Sequence, residues 1–137
     1  MLKKVLLLFC VGIIALYVVS IYQKPLFYKY SDSFTVYVGS NSSNADMLNT
    51  NKSSFMFIKD KRGESCKING SFDLQSFLKE FDAQLVFTEQ TEQGVSYYAY
   101  SNKVKYKQQI KSKPINLHVF IGKSGVTIGS PIIYGSF

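Results

Sequence analysis

The chain has 137 residues, 46% of them hydrophobic, with ten Tyr, eleven Phe and a formal charge of +7. That apolar and aromatic content excludes a disordered tail, and the length allows one domain behind a short leader or anchor. Two cysteines and one histidine leave no zinc-ligand spacing and little material for metal or nucleophilic chemistry.

Lys3 and Lys4 precede an uncharged apolar run, Val5 to Tyr22. As a helix its 18 residues reach roughly 27 Å, close to a bilayer core. The two lysines place the N-terminus in the cytoplasm and export the remainder. A cleaved signal peptide is the alternative, in which case the domain is secreted. Only Val18 and Ser20 offer themselves as a cleavage site, and the run exceeds the usual h-region. A buried core helix is a further alternative, disfavoured because the run is apolar on all sides. Cys10 follows the bulky Phe9 and does not resemble a lipoprotein cysteine. The expected organisation is an anchor over residues 1–24, a linker over 25–33 and an extracytoplasmic domain over 34–137.

Pro25 stops the anchor helix. Phe34 to Val38 reads as a strand, and the Ser/Asn-rich Gly39 to Asn51 as a long loop. Ser54 to Lys59 is apolar on both strand faces, which suggests a central strand. Asp60-Lys61-Arg62-Gly63 then turns the chain into a partner strand, Glu64 to Ile68. Leu74, Phe77, Leu78 and Phe81 recur with helical spacing, Asp73 is a good N-cap, and Phe72 with Phe77 forms a hydrophobic staple.

Gln84 to Glu89 and Val95 to Ser101 read as strands around a turn containing Gly94. Ile115 to Ile121 and Val126 to Ile133 form a last hairpin, with Pro131 marking an edge strand or bulge. The fold class is α+β: an N-terminal transmembrane helix, then a two-layer domain of an antiparallel sheet of about six strands with one short amphipathic helix.

The chemistry is sparse. His118 is expected to be a half-exposed strand histidine. Gly122-Lys123-Ser124 lacks the earlier glycine of a phosphate loop and fits a hairpin turn. Asp60, Glu64, Glu89 and Glu92 flank turns and read as solvated charge. Cys66 reads as a small buried residue, with a reactive thiol as the alternative. No catalytic residue, cofactor or metal ligand is assigned.

The most distinctive charged stretch holds Lys103, Lys105, Lys107, Lys111 and Lys113 and no acid. If extended, its first three lysines share a face and suit anionic polymer or lipid headgroups; a solvated edge strand is the alternative. Without the anchor lysines the domain has 13 basic and 9 acidic residues. That mild excess favours envelope polymer or lipid over nucleic acid, which is not an expected partner.

Phe81-Asp82-Ala83, Val95 to Ser101, Ile115-Asn116-Leu117-His118 and Gly129-Ser130-Pro131-Ile132-Ile133 together resemble the YwmB-like family, exported or membrane-anchored proteins of Gram-positive spore-forming bacteria. The resemblance covers about residues 70–137. It implies a fold similar to the TATA-box-binding protein, an envelope address and no catalytic residues. The expected function is a non-enzymatic, single-pass envelope module that binds another envelope protein, or alternatively anionic lipid or wall polymer through the lysine stretch; an exported hydrolase or thiol enzyme using Cys66 or His118 is a third, less favoured alternative.

Overall fold

The apolar run forms a helix, α1, over Leu2–Tyr22. In the computed structural model, which describes residues 1–39 and 46–135 (the backbone alone at 20–22), its described side chains are all exposed and none joins the core. A buried core helix is thereby excluded. The window Leu2–Val19 has a mean hydropathy of 2.4, the length and composition of a membrane span or of a signal sequence.

Behind α1 lies an α+β domain built on a seven-stranded sheet. Its strands are β1 (Ser33–Val38), β2 (Asp46–Asn51), β3 (Lys61–Ile68), β4 (Gln84–Gln90), β5 (Gly94–Tyr100), β8 (Leu117–Gly122) and β9 (Gly125–Ser130). They lie in the order β2-β1-β3-β9-β8-β5-β4, antiparallel at every pairing. Between β5 and β8 the chain makes a small two-stranded ribbon, β6 (Gln108–Ile110) with β7 (Lys113–Ile115).

Residues paired across strands share a face. One row runs Cys66, Ile128, Val119, Tyr97, and it lies under the helix. That helix, α2 (Leu74–Glu80), starts where Asp73 accepts a hydrogen bond from the Ser76 amide at 3.0 Å. The staple forms as expected, with the Phe72 and Phe77 rings 5.5 Å apart. Phe77 and Leu78 are buried against Cys66, Val119 and Ile128. Burial of a side chain such as Phe77 contributes about 2–3 kcal/mol, which is what holds so short a helix in place. Phe27 from the segment that follows α1 also enters this core, its ring 6.3 Å from Phe77.

The opposite face carries the row Ser65, Gly129, His118, Tyr98, Phe87. The C-terminal segment covers part of it. Ile133 sits over Gly129, where a Cβ would lie 2.7 Å from the Ile133 side chain, and Tyr134 packs edge-on against Tyr37 at 4.6 Å.

Several sequence expectations are corrected. Asp46–Asn51, expected as loop, is the edge strand β2, paired with β1 from Val38↔Asp46 to Ser33↔Asn51. Its side chains are mostly solvated, so it needs no apolar pattern, only main-chain pairing. The rest of the expected loop, residues 40–45, lies outside the described residues.

Ser54 to Lys59 is not a strand; it contains a single 3-10 turn, Phe55–Phe57. Residues two apart on a strand share a face, yet Phe55 is 1% and Phe57 77% exposed. β3 therefore begins at Lys61 and pairs with β1 and β9 instead. Finally, β9 is interior and ends at Ser130, one residue before Pro131, whose missing N–H is not needed by the ladder. The sheet accordingly has seven strands, and Ile115 belongs to the small ribbon.

Candidate functional site

A concavity opens beside the end of α1, with a volume near 790 Å³. Gln23 and Lys24, which directly follow the helix, line one side. Lys61 at the start of β3 lines another, and Lys103 and Lys105 reach it from the loop after β5. Leu26, Phe55, Val104 and Tyr106 supply apolar wall, and Glu64 lies at its floor.

The loop that presents Lys103 and Lys105 is held by a buried polar network. Asn116 is fully buried between β7 and β8. Its Oδ1 accepts from the Ser101 amide at 2.8 Å, and its Nδ2 donates to the carbonyls of Ser101 (2.6 Å) and Val104 (3.2 Å). Ser101 Oγ donates to the Phe81 carbonyl at 2.5 Å and accepts from the Lys103 amide at 3.0 Å. Ser130 Oγ completes the set by donating to the Asn116 carbonyl at 2.6 Å. A fully satisfied network of this kind fixes a loop that has no strand or helix of its own.

Lys61 is pinned as well. Its Nζ donates to the Ile58 carbonyl at 2.6 Å and the Phe55 carbonyl at 3.4 Å, and lies 5.0 Å from the Phe55 ring centre. Desolvation, and then the neighbouring Lys105, hold its pKa below the usual lysine value. Lys105 Nζ rests 5.0 Å above the Tyr106 ring.

Of the five lysines read from sequence, two line the cavity. Lys103 also approaches Asp82 at 3.7 Å on the surface. Lys107 lies over the Tyr100 ring at 5.9 Å, Lys111 is hydrogen-bonded to Glu89, and Lys113 begins β7. Residues 103–107 belong to no strand, yet exposure alternates along them: Lys103, Lys105 and Lys107 are exposed, while Val104 is buried and Tyr106 half-buried between them. Lys24 and Lys61, far apart in sequence, also line the cavity, as does the acidic Asp60, so four lysines face two carboxyl groups there, Asp60 and Glu64.

Glu64 also departs from the sequence expectation: it is not solvated turn charge but a carboxyl group only 1% exposed. Its Oε1 accepts from the Phe27 amide at 3.1 Å. Burial pushes its pKa up to about 7, against the lowering effect of the Phe27 and Leu26 amides and of Lys105 and Lys61. The Phe27 hydrogen bond fastens the segment after α1 to the sheet, and the raised value reflects the burial that comes with it. The sequence signal available was weak: Glu64 alternates with Cys66 and Ile68 on the core face of one strand.

His118, expected to be half-exposed, is only 2% exposed. Its ring stacks on Tyr98 at 4.3 Å, and Tyr98 stacks on Phe87 at 4.5 Å. Nδ1 accepts from the Ile133 amide at 3.1 Å, so the neutral ring carries its proton on Nε2. Burial lowers its pKa to about 4, with Glu89 acting in the opposite sense. This is the environment of a packing residue that anchors the C-terminal segment.

Cys66 is buried as expected, and desolvation raises its pKa to about 12, which disfavours the reactive thiolate. Gly122 to Gly125 is a hairpin turn between β8 and β9. Among the described residues, no three His, Cys, Asp or Glu side chains gather closely enough to hold a metal ion. Comparison with protein-family models, curated proteins and solved structures finds no match to this chain.

Proposed function

We propose that this chain is a single-pass, non-enzymatic binding module of the cell envelope. Its N-terminus is cytoplasmic and its domain lies at the outer face of the membrane. There it binds an anionic, phosphate-bearing group, either a lipid headgroup or a wall polymer. One observation carries this reading: Lys24, Lys61, Lys103 and Lys105 converge on a cavity that also takes in the first residues after α1. A cavity so placed lies at headgroup depth if α1 spans the bilayer, where each lysine contributes about 1 kcal/mol toward anionic lipid. The resemblance of residues 70–137 to YwmB-like exported proteins belongs with this proposal, since it implies the same address.

The test is calorimetry on the full chain in phosphatidylcholine nanodiscs, titrated with short-chain phosphatidylglycerol, with inorganic phosphate and with a soluble glycerol-phosphate polymer. Salt-sensitive binding that is lost in the Lys61→Ser/Lys105→Ser double variant is the expected result. Binding that is absent, or indifferent to both salt and the variant, rejects it.

A second reading rests on β2. It is an edge strand with Met47 and Leu48 exposed, a surface to which an envelope protein can add a strand. Crosslinking in intact membranes from a position on β2 distinguishes the two, because only this reading yields a reproducible protein adduct there.

A further inference from the structure

The 3-10 turn presents Phe57 and Met56 outward on a segment that is otherwise well fixed. Phe55 is buried with its ring 6.0 Å from Phe34. The Phe57 amide donates to the Ser54 carbonyl and the Ile58 amide to the Phe55 carbonyl, while Lys61 Nζ caps the Phe55 and Ile58 carbonyls. A rigid turn that exposes a large aromatic side chain invites a covering surface.

What covers it is indicated by its neighbours. Lys52, just before the turn, lies 4.3 Å from the Tyr28 ring centre and is ion-paired with the exposed Asp32 at 2.7 Å, and Lys24 lies 5.5 Å from the same ring on the other chain segment. Tyr28 is itself exposed and follows the end of α1 by six residues, no more than roughly 20 Å even if fully extended. Phe55 and Lys61 share the cavity wall with Gln23 and Lys24, so the turn and the helix exit lie on one side of the domain. Exposed Phe, Met and Tyr set among lysines is the composition of a membrane-interface contact: rings enter the headgroup boundary and ammonium groups meet anionic headgroups.

We infer that Tyr28, Met56 and Phe57, flanked by Lys24 and Lys52, form a second membrane contact that seats the domain against the same bilayer that α1 crosses. This rests on the reading of α1 as a retained anchor. The contact restricts rotation of the domain about the short juxtamembrane segment and turns the lysine cavity toward the headgroups. A tether alone would leave the cavity free to face away.

The chain contains no tryptophan, so Phe57→Trp creates a single reporter at an exposed position where folding does not depend on the side chain. Ser124→Trp is the control. It lies in the β8–β9 hairpin, at the Ile68 end of the sheet, away from the Lys61 end that borders the cavity. Both full-length variants are placed in phosphatidylcholine nanodiscs with ordinary or acyl-brominated lipid. The Phe57→Trp reporter is expected to emit to the blue of Ser124→Trp and to lose its emission severalfold in brominated lipid, with Ser124→Trp unchanged. Equal emission and no quenching at both positions overturns the contact. Carbonate washing of native membranes separates the two failures. A chain released by the wash refutes the anchor and the contact together, whereas a retained but unquenched chain refutes the contact alone.

Discussion

Replacing Glu64 by Gln tests the packing account most sharply, because two buried groups pull stability in opposite directions with pH. Glu64 has a folded pKa of about 7 against an ordinary 4.5. The folded state therefore keeps a proton that the unfolded chain gives up between those values. Its contribution is fully present below pH 4.5 and is lost as pH rises to about 7, amounting to about 3 kcal/mol at ~1.4 kcal/mol per tenfold. His118 is displaced the other way, from 6.5 to about 4. Its contribution is present above pH 6.5 and is lost as pH falls toward 4, again by about 3 kcal/mol. Between pH 4.5 and 6.5 the two slopes oppose each other, and the unaltered protein shows little net dependence from this pair. The charged neighbours are few: Lys61 and Lys105 near Glu64, and Glu89 near His118. The assay is denaturant unfolding of residues 24–137, which retain every core residue, followed by circular dichroism across pH 4 to 8. Relative to the parent, Glu64→Gln gains about 3 kcal/mol between pH 4.5 and 8 and exposes the His118 slope. Parallel pH profiles for parent and variant refute the argument, since they would mean that Glu64 is ionised and solvated in the folded state.

Asn116→Ala removes three hydrogen bonds and strands the buried Ser101 amide; a loss of about 3 kcal/mol is expected in the same unfolding assay, together with weaker anion binding as the lysine loop loosens. Gly63→Ala places a Cβ 2.4 Å from the Ser130 carbonyl oxygen and 2.9 Å from the Tyr37 ring, backbone and packed side chain that cannot easily yield. It should lower stability by about 1–3 kcal/mol, read from the denaturation midpoint. Cys66 should resist a thiol reagent in the folded domain and react on addition of denaturant; rapid native labelling would overturn its placement in the core.

The features legible in the sequence are those set by neighbours along the chain. α1 is spelled out by an uncharged run, α2 by Asp73, the Phe72–Phe77 staple and the spacing of Leu74, Phe77, Leu78 and Phe81. β4, β5 and the β8–β9 hairpin follow from β-rich runs around glycine turns. What sequence reading missed depends on distant partners. β2 has a polar composition and is a strand only because β1 lies beside it. Phe55 and Phe57 look like one strand face until Phe34 claims the first and leaves the second in solvent. Glu64 is buried because the amides of Leu26 and Phe27 cross over it. The lysine stretch was visible, yet its division between cavity and surface is decided by Asn116, which draws the loop after β5 inward, and by Glu89, which draws Lys111 away.

We propose that a phosphate-bearing group occupies the lysine cavity at the bilayer surface. Native mass spectrometry of the full chain, ejected from nanodiscs of equal phosphatidylglycerol and phosphatidylcholine, addresses it directly. The account predicts a retained phosphatidylglycerol adduct that disappears in the Lys61→Ser/Lys105→Ser variant. Retention of the two lipids in equal measure, unaffected by the substitutions, would contradict it.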